Sequence, residues 1–369
     1  MNASDRKGSR PAGFVEAAAA QRRRRATSSG GFRPVARGPG TASARHESGR
    51  GRSTGQPVRD RSEPNGFGWI GPFARSSMAS ASRGEDAVCP RREKSSARMD
   101  RYIVVEQPTD DRIEAFRDIR ERDLAGRGGL IAEGTVVVEQ LLRSPFFEAN
   151  ALLILQNRLA GLEDLLAGVP PSVPVYVADR GVMDAIAGFA IHRGVLAHGR
   201  VREAKACPLG EALAALARRG APVVVAVGIA NHDNMGAIFR NAAAFGAGIV
   251  LVDATSCNPL YRKAIRVSAG GIFTVPFERF DDPLAIAGML TAAGFECLAL
   301  TPGSEQGISD IETDRPVALF LGAEGPGLPN AVIERLRTAR IEMDGGYDSL
   351  NVATAGAIAL HHFTRRRLS

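Results

Sequence analysis

The sequence predicts an α/β protein built on parallel sheets, and three observations carry that expectation. Short, continuous apolar runs such as Ala151–Leu155, Ala221–Gly228 and Val317–Leu321 have the length and saturation of strands covered on both faces. These runs alternate with stretches of helical periodicity, so that strand, loop, helix and strand recur along the chain. The 369 residues are 44% hydrophobic and 24% charged, with 41 glycines, enough core and turn material for about two domains plus a tail.

Charge separates the tail from the rest. The net charge is +7, yet residues 1–98 hold 20 Lys/Arg against 8 Asp/Glu, which leaves 27 against 32 for residues 99–369. The high isoelectric point therefore belongs to the leader, and overall charge is no argument for nucleic-acid binding. Residues 1–98 are rich in Arg, Ser, Gly, Ala and Pro and lack a sustained period, so they are expected to be disordered. A basic RNA-binding arm and an organellar transit segment are alternatives. Because Met99 opens an ordered-looking run from Asp100 to Val105, the favoured reading is upstream sequence from a start placed too early, or an inert tail. The sequence has neither an 18-residue apolar run nor an apolar segment near its start, so a soluble, cytoplasmic protein without membrane contact is expected. Cys89, Cys207, Cys257 and Cys297 are far apart and histidines do not cluster, so neither metal nor disulfides are expected.

Residues 100–205 read as a small α/β/α domain. Asp110 or Asp111 can cap a helix with Ile113, Phe116 and Ile119 on one side, ending near Gly126. GLIAEG (Gly129–Gly134) precedes a helical block with Val137, Val138, Leu141 and Leu142. Ala151–Leu155 and Val173–Ala178 read as strands around a helix from Leu159 to Leu166. A helix near Val182–Ala187 and a short strand at Val195–Ala197 complete the unit. Glu133 stands at a strand-to-helix turn where it could meet a ligand, although a cap or a solvated turn is the commoner use. His192, Arg193 and His198 could touch RNA or form a solvated loop.

Residues 206–369 form the second domain. After a helix from Glu211 to Arg218, the strand Ala221–Gly228 stops at the loop NHDNMG, followed by a helix that ends at Gly246 and a strand that ends at Asp253. This is a βαβ unit, and its loop lies at the carboxyl end of the first strand, where open parallel sheets bind ligands. Asn234 is in that loop and Arg240 follows six residues on, so both could face one cleft. Arg240 could equally be a surface charge, but its neighbours are mostly apolar. Arg262, Lys263 and Arg266 precede Gly270-Gly271 and could steer an RNA backbone or be solvated. A helix (Pro283–Ala293), a strand (Glu296–Leu300), a helix (Asn330–Thr338) and a last strand (Arg340–Met343) come next. Between them, Val317–Leu328 runs an apolar strand into a loop with Gly322, Gly325 and Gly327, where missing Cβ atoms allow tight bends and close approach to a ligand. Asp348, Ser349 and Asn351 supply polar groups at the start of a terminal helix rich in Ala and Gly.

Taken together, NHDNMGAIFRNAAAFG, LFLGAEGPGL and IEMDGGYDSLNVATAGAIAL resemble, in order and spacing, the three motifs of the SpoU/TrmH family of RNA 2′-O-ribose methyltransferases in the SPOUT superfamily. Residues 100–205, with LIAEG and HRGVLA, resemble the substrate-binding domain that often precedes the catalytic one. The resemblance implies a trefoil-knotted catalytic domain that binds S-adenosylmethionine, acts on rRNA or tRNA, and pairs as a homodimer through the C-terminal domain. It places Asn234, Arg240, Glu324, Ser349 and Asn351 at the catalytic positions. It places Leu321, Gly322, Gly325, Gly327, Ile341, Met343 and Leu350 around the cofactor. Ala323, where Asn is common, and Glu342, where Pro is common, depart from the pattern and leave the substrate open.

Methyl transfer to a ribose hydroxyl is an in-line displacement, so positioning and removal of the hydroxyl proton should supply most of the catalysis. The resemblance implies that Arg240 takes that proton. A guanidinium, with a pKa above about 12, is a poor base, and an anchor for phosphate and developing alkoxide suits it better. Two rivals remain: a non-catalytic RNA-binding or ribosome-associated protein with the same fold, and a nicotinamide-dependent oxidoreductase. The intact polar residues argue against the first, and the lack of a G-x-G-x-x-G after the first strand of the second domain argues against the other.

Overall fold

Burial follows the apolar runs of the sequence. The computed structural model describes residues 101–117, 129–187, 193–203, 207–345 and 349–368, all within the unit Pro64–Ser369. The expectations for the leader 1–98, Ile119, Gly126, His192 and Asp348 lie outside the described residues.

The first sheet contains β1 (Tyr102–Val105), β2 (Gly129–Glu133), β3 (Phe147–Leu155), β4 (Val175–Ala178) and β5 (Val195–Val201), with α1 (Thr135–Arg143), α2 (Glu163–Ala167) and α3 (Arg180–Ala187) between them. Its order is β1-β4-β3-β5-β2. β1, β4 and β3 are parallel, whereas β5 runs antiparallel to both β3 and β2. Alternate residues of β3 enter opposite cores, Leu152 and Ile154 on one face and Leu153 and Leu155 on the other.

Local chemistry interrupts two expected helices here. Asp110 caps by accepting from the Arg112 amide, but the cap opens only a 3-10 turn, Asp111–Phe116, closed by the extended backbone of Arg117 at φ −79°, ψ 144°. Ile113 and Phe116 are nevertheless buried, as the pattern required. The helix expected from Leu159 begins only at Glu163, because Gly161 sits at φ +97°, a conformation that interrupts a helix.

The second sheet is parallel throughout. Its elements are α4 (Leu209–Arg218), β6 (Val223–Ala226), α5 (His232–Ala244), β7 (Ile249–Asp253), α6 (Arg262–Val267), β8 (Phe277–Phe280), α7 (Pro283–Ala292), β9 (Glu296–Leu300), β10 (Val317–Leu321), α8 (Asn330–Arg335), β11 (Arg337–Ala339) and α9 (Val352–Leu368). The strand order is β11-β9-β10-β6-β7-β8. Val223 and Val225 pack with α4 and α7, while Val224 and Ala226 pack with α5 and α9, which makes three layers. The last strand is Arg337–Ala339, earlier than the expected Arg340–Met343. Leu336 is already extended at φ −102°, ψ 158°, so the chain joins β9 at once. Arg340 keeps only an isolated bridge to Gly307, and the residues after it leave the sheet.

One core continues from the first sheet into the second. Phe147 meets Phe273 edge to face at 5.3 Å, and Ser144 Oγ donates to the Phe273 carbonyl at 2.6 Å. An edge-to-face pair contributes ~0.5–1.5 kcal/mol beyond area burial. Among the described residues no helix is long and apolar enough to cross a membrane.

On β8, burial pushes the Glu278 carboxyl up to about 7. The unfolded chain then ionises first as pH rises from its ordinary value of 4.5. The folded state holds the extra proton, so Glu278 lowers stability progressively between pH 4.5 and 7 and costs its full amount above that window. Glu278→Gln should therefore melt about 2 °C or more above the parent at pH 8, and show no advantage at pH 4.5, in thermal scans.

Candidate functional site

The strand order reverses at the centre of the second sheet. From β6 the sheet extends through β7 and β8 on one side and through β10, β9 and β11 on the other. The carboxyl ends of β6 and β10 therefore flank a crevice, the place where open α/β sheets hold ligands.

The loop after β10 forms one wall. Ala323 and Gly327 exchange backbone hydrogen bonds of 3.2 and 3.0 Å, closing residues 323–327 into a tight turn. A Cβ at Gly322 would stand 2.3 Å from the Leu328 nitrogen, so no other residue fits there without moving backbone. Gly325 and Gly327 have φ of +86° and +73°, and nothing lies within 4 Å of where their Cβ atoms would be. They border a cavity of about 580 Å³, within the ~300–1,000 Å³ usual for small-molecule sites. Leu300, Leu321, Ile341, Met343 and Leu350 give it apolar walls, and Thr301, Arg340 and Ser349 add polar groups. Ile341 and Met343 reach the cavity because β11 ends early.

The loop after β6 supplies the polar corner. Asn231 caps α5, its Oδ1 accepting from the Asp233 amide at 2.8 Å, so NHDNMG opens the helix instead of forming a loop. Asn234 is thus in the first turn, and only 6% of it is exposed. Its Nδ2 donates to Glu324 Oε1 at 2.5 Å, and its Oδ1 accepts from Asn351 Nδ2 at 2.8 Å. Asn351 Nδ2 also reaches Glu324 Oε1 at 3.2 Å. The orientation of Asn351 is fixed by its other end, whose Oδ1 caps α9 by accepting from the Ala353 and Thr354 amides at 3.0 and 3.2 Å. Glu324, Ser349 and Asn351 line the cavity, and Asn234 stands behind them.

Arg240 is placed elsewhere. At about 100° per residue, six residues turn it roughly 120° around α5 from Asn234, so the two do not face one cleft. Arg240 is exposed, lies outside the cavity and has no hydrogen-bond or ion-pair partner among the described residues. The basic candidates also divide. Arg262 is engaged in an ion pair with buried Glu133 at 3.0 Å, which takes Glu133 away from any ligand. Lys263 pairs with Asp233 at 2.7 Å, whereas Arg266 and Arg193 are exposed, Arg193 lying over Gly134.

Sequence reasoning missed Asp253 and Ser256, which support the β6 loop from below. Asp253 Oδ1 accepts from the Gly228 amide at 2.9 Å, and Ser256 Oγ accepts from the Ile229 amide at 2.8 Å while donating to Asp253. An Asp at a strand's carboxyl end followed by Thr-Ser was the available signal. Among the described residues no three His, Cys, Asp or Glu side chains gather as a metal site.

The SpoU rRNA Methylase family matches residues 221–361. A Mycobacterium tuberculosis protein named uncharacterized tRNA/rRNA methyltransferase is 41% identical over 271 residues, 70% of this chain and 90% of the relative. A Burkholderia 23S rRNA (guanosine-2′-O-)-methyltransferase, RlmB, is 31% identical over 193 residues, 52% of this chain and 77% of the relative. In structure, an AdoMet-bound rRNA methyltransferase from Sinorhizobium meliloti matches with a TM-score of 0.61 at 23% identity, over 73% of this chain and all of the other.

Asn351→Ala removes both a helix cap, worth ~1 kcal/mol, and the partner of the buried Asn234 oxygen, whose loss costs ~1–3 kcal/mol. The variant should melt several degrees lower, whereas Ser349→Ala, which removes no hydrogen bond among the described residues, should melt with the parent.

Proposed function

The chain belongs to the SpoU rRNA methylase family, and on that premise we propose that it transfers a methyl group from S-adenosylmethionine to a ribose 2′-hydroxyl of structured RNA. The observation that carries this reading is the meeting of Asn234, Glu324 and Asn351 at the rim of a glycine-walled, nucleoside-sized cavity.

The cavity suits S-adenosylmethionine on its own features. Leu321, Ile341, Met343 and Leu350 offer apolar surface to an adenine, and Gly322, Gly325 and Gly327 bring backbone close without side chains in the way. Glu324 puts a carboxylate on the rim, complementary to the cofactor's positive charge. When bound, the cofactor supplies an electrophilic methyl group on sulfur. The chain's residues do the rest: Asn234 and Asn351 hold the Glu324 carboxylate in place, and Ser349 offers a hydroxyl at the same rim. This is catalysis by positioning, which can contribute ~7–11 kcal/mol when the reacting groups are well aligned.

We also infer a homodimer through the C-terminal domain, with the knotted path that the resemblance implied. Arg240 points away from the cavity of its own chain, so a catalytic Arg240 would have to serve the site of a second copy. There it would anchor the target phosphate and stabilise the alkoxide, with a 2′-hydroxyl proton passing to it only if its environment lowers the guanidinium pKa. Arg266 and Arg193 are exposed cations suited to RNA phosphates, and Lys263 could join them by leaving its exposed pair with Asp233. We assign the protein to the cytoplasm, where its RNA substrates lie. The guanosine-2′-O activity in the name of the Burkholderia relative makes ribosomal RNA the first substrate to test, before transfer RNA. Mapping ribose methylation in RNA from a strain lacking the gene tests the reading, and an unchanged map would overturn it.

Two substitutions separate the parts. Gly325→Val forces a β-branched residue to φ +86° beside the cavity, and calorimetry should show cofactor binding lost. Arg240→Ala should bind cofactor as the parent does and fail to methylate. Mixed with a Glu324→Gln chain, it should regain activity, because one site of the mixed pair is then intact; no recovery would argue against a site shared between copies.

A further inference from the structure

Three consecutive residues at the start of α6 tie two parts of the fold together. Arg262 Nη1 donates to Glu133 Oε2 at 3.0 Å, with side chains only 17% and 5% exposed. Glu133 ends β2, so this pair crosses from the first sheet to the second. On one side of Arg262, the Tyr261 ring stacks on His232 with centroids 4.0 Å apart and planes at 29°. On the other, Lys263 Nζ lies 2.7 Å from Asp233 Oδ2. His232 and Asp233 are the first two residues of α5, and Asn234 is the third. α6 is also seated directly on α5, since a Cβ at Gly236 would stand 2.5 Å from the Ala264 carbonyl oxygen and 2.7 Å from Val267 Cβ.

We infer that Arg262 is a positioning residue for the reaction. Its buried pair with Glu133 fixes the first sheet against the opening turn of α5, and so aims the Asn234 corner at an RNA held on the first sheet. The inference rests on the methyltransferase reading above. The physical reason lies in where each contact sits. The Lys263–Asp233 pair is bathed in water, which screens it and lets it exchange. The Arg262–Glu133 pair is not: removing Arg262 leaves the Glu133 charge without this partner in a largely dry seam, and removing Glu133 takes from Arg262 its link to the first sheet. The Glu133 charge regains water only if β2 and α6 part. Because α6 is gripped to α5 on both sides of Arg262, parting there shifts the turn that carries Asn234. The cofactor cavity contains no residue from β2, α5 or α6, so the shift reaches its wall only through the bonds of Asn234 to Glu324 and Asn351.

Initial rates of methyl transfer from labelled S-adenosylmethionine to ribosomal RNA lacking the modification, measured on the full chain, test the inference. Arg262→Gln and Glu133→Gln should each lower kcat at saturating RNA by about tenfold or more, the scale expected for small misplacements of reacting groups. The KM for the cofactor should change much less than kcat, because most of the cavity wall, including its glycines and apolar side chains, lies outside the shifted turn. Arg262→Lys should keep most of the activity, and the exchanged pair Glu133→Arg with Arg262→Glu should recover part of what either single change loses. If Arg262 instead grips RNA phosphate, Arg262→Gln raises the KM for RNA while Glu133→Gln turns over normally, and the inference is overturned. A matched fall in kcat, cofactor affinity and melting temperature would overturn it too, by reducing the pair to a contact that holds the fold. Variants that all behave like the parent would do the same. A parent chain that transfers no methyl group to any RNA would instead remove the methyltransferase reading, and this inference with it.

Discussion

The amide of Asn234 is buried and uses both of its ends. A buried amide left unpaired costs ~1–3 kcal/mol per missing partner, so Glu324 and Asn351 are held to it by more than proximity. Three distant stretches of chain are thereby tied at one point: the first turn of α5, the turn after β10 and the cap of α9. The orientation is also fixed, because Asn351 gives its oxygen to two helix amides and has only its nitrogen left to offer. Rotating that side chain would lose a cap and a rim contact together. A single polar corner thus sets where the C-terminal helix begins and where the Glu324 carboxylate stands.

The sheet supplies the space around that corner. Reversal of strand order beside β6 opens a crevice at the carboxyl ends of two fully buried strands. The brevity of β11 then matters as much as the glycines, since only residues outside a ladder can present backbone and side chain to a ligand. Below the crevice, Asp253 and Ser256 pin Gly228 and Ile229, while Val227 donates to the Leu321 carbonyl at 2.9 Å. The loop that leads into α5 is therefore clamped from both neighbours, β7 and β10, before Asn234 is reached.

Much of this was legible in the sequence where the physics is local. Saturated apolar runs gave strands, and Gly322, Gly325 and Gly327 marked a turn that other residues could not make. The motifs brought Asn234, Glu324 and Asn351 together as a set. What was not legible depended on geometry or on distance in the chain. His232, Asp233 and Asn234 look like loop residues because short polar side chains compete with helix amides, yet Asn231 turns the same polarity into a helix start. Arg240 stands about 120° around α5 from Asn234, a separation that appears only once the polar stretch before it is helical. The Glu133–Arg262 pair joins residues 129 positions apart, and each alone carried a different, solvent-facing interpretation. The breaks at Arg117 and Gly161 depend on single backbone conformations that periodicity does not record.

Charge completes the argument about partners. Residues 99–369 carry more acid than base, so an RNA would feel little general attraction from this part of the chain at physiological ionic strength. Recognition has to come from where the unneutralised cations are. Arg262 and Lys263 already face carboxylates, whereas Arg240, Arg266 and Arg193 are exposed and are among the local positive points of the described residues. Contacts from such points to phosphate would carry the salt dependence of binding and position the RNA without reading its sequence.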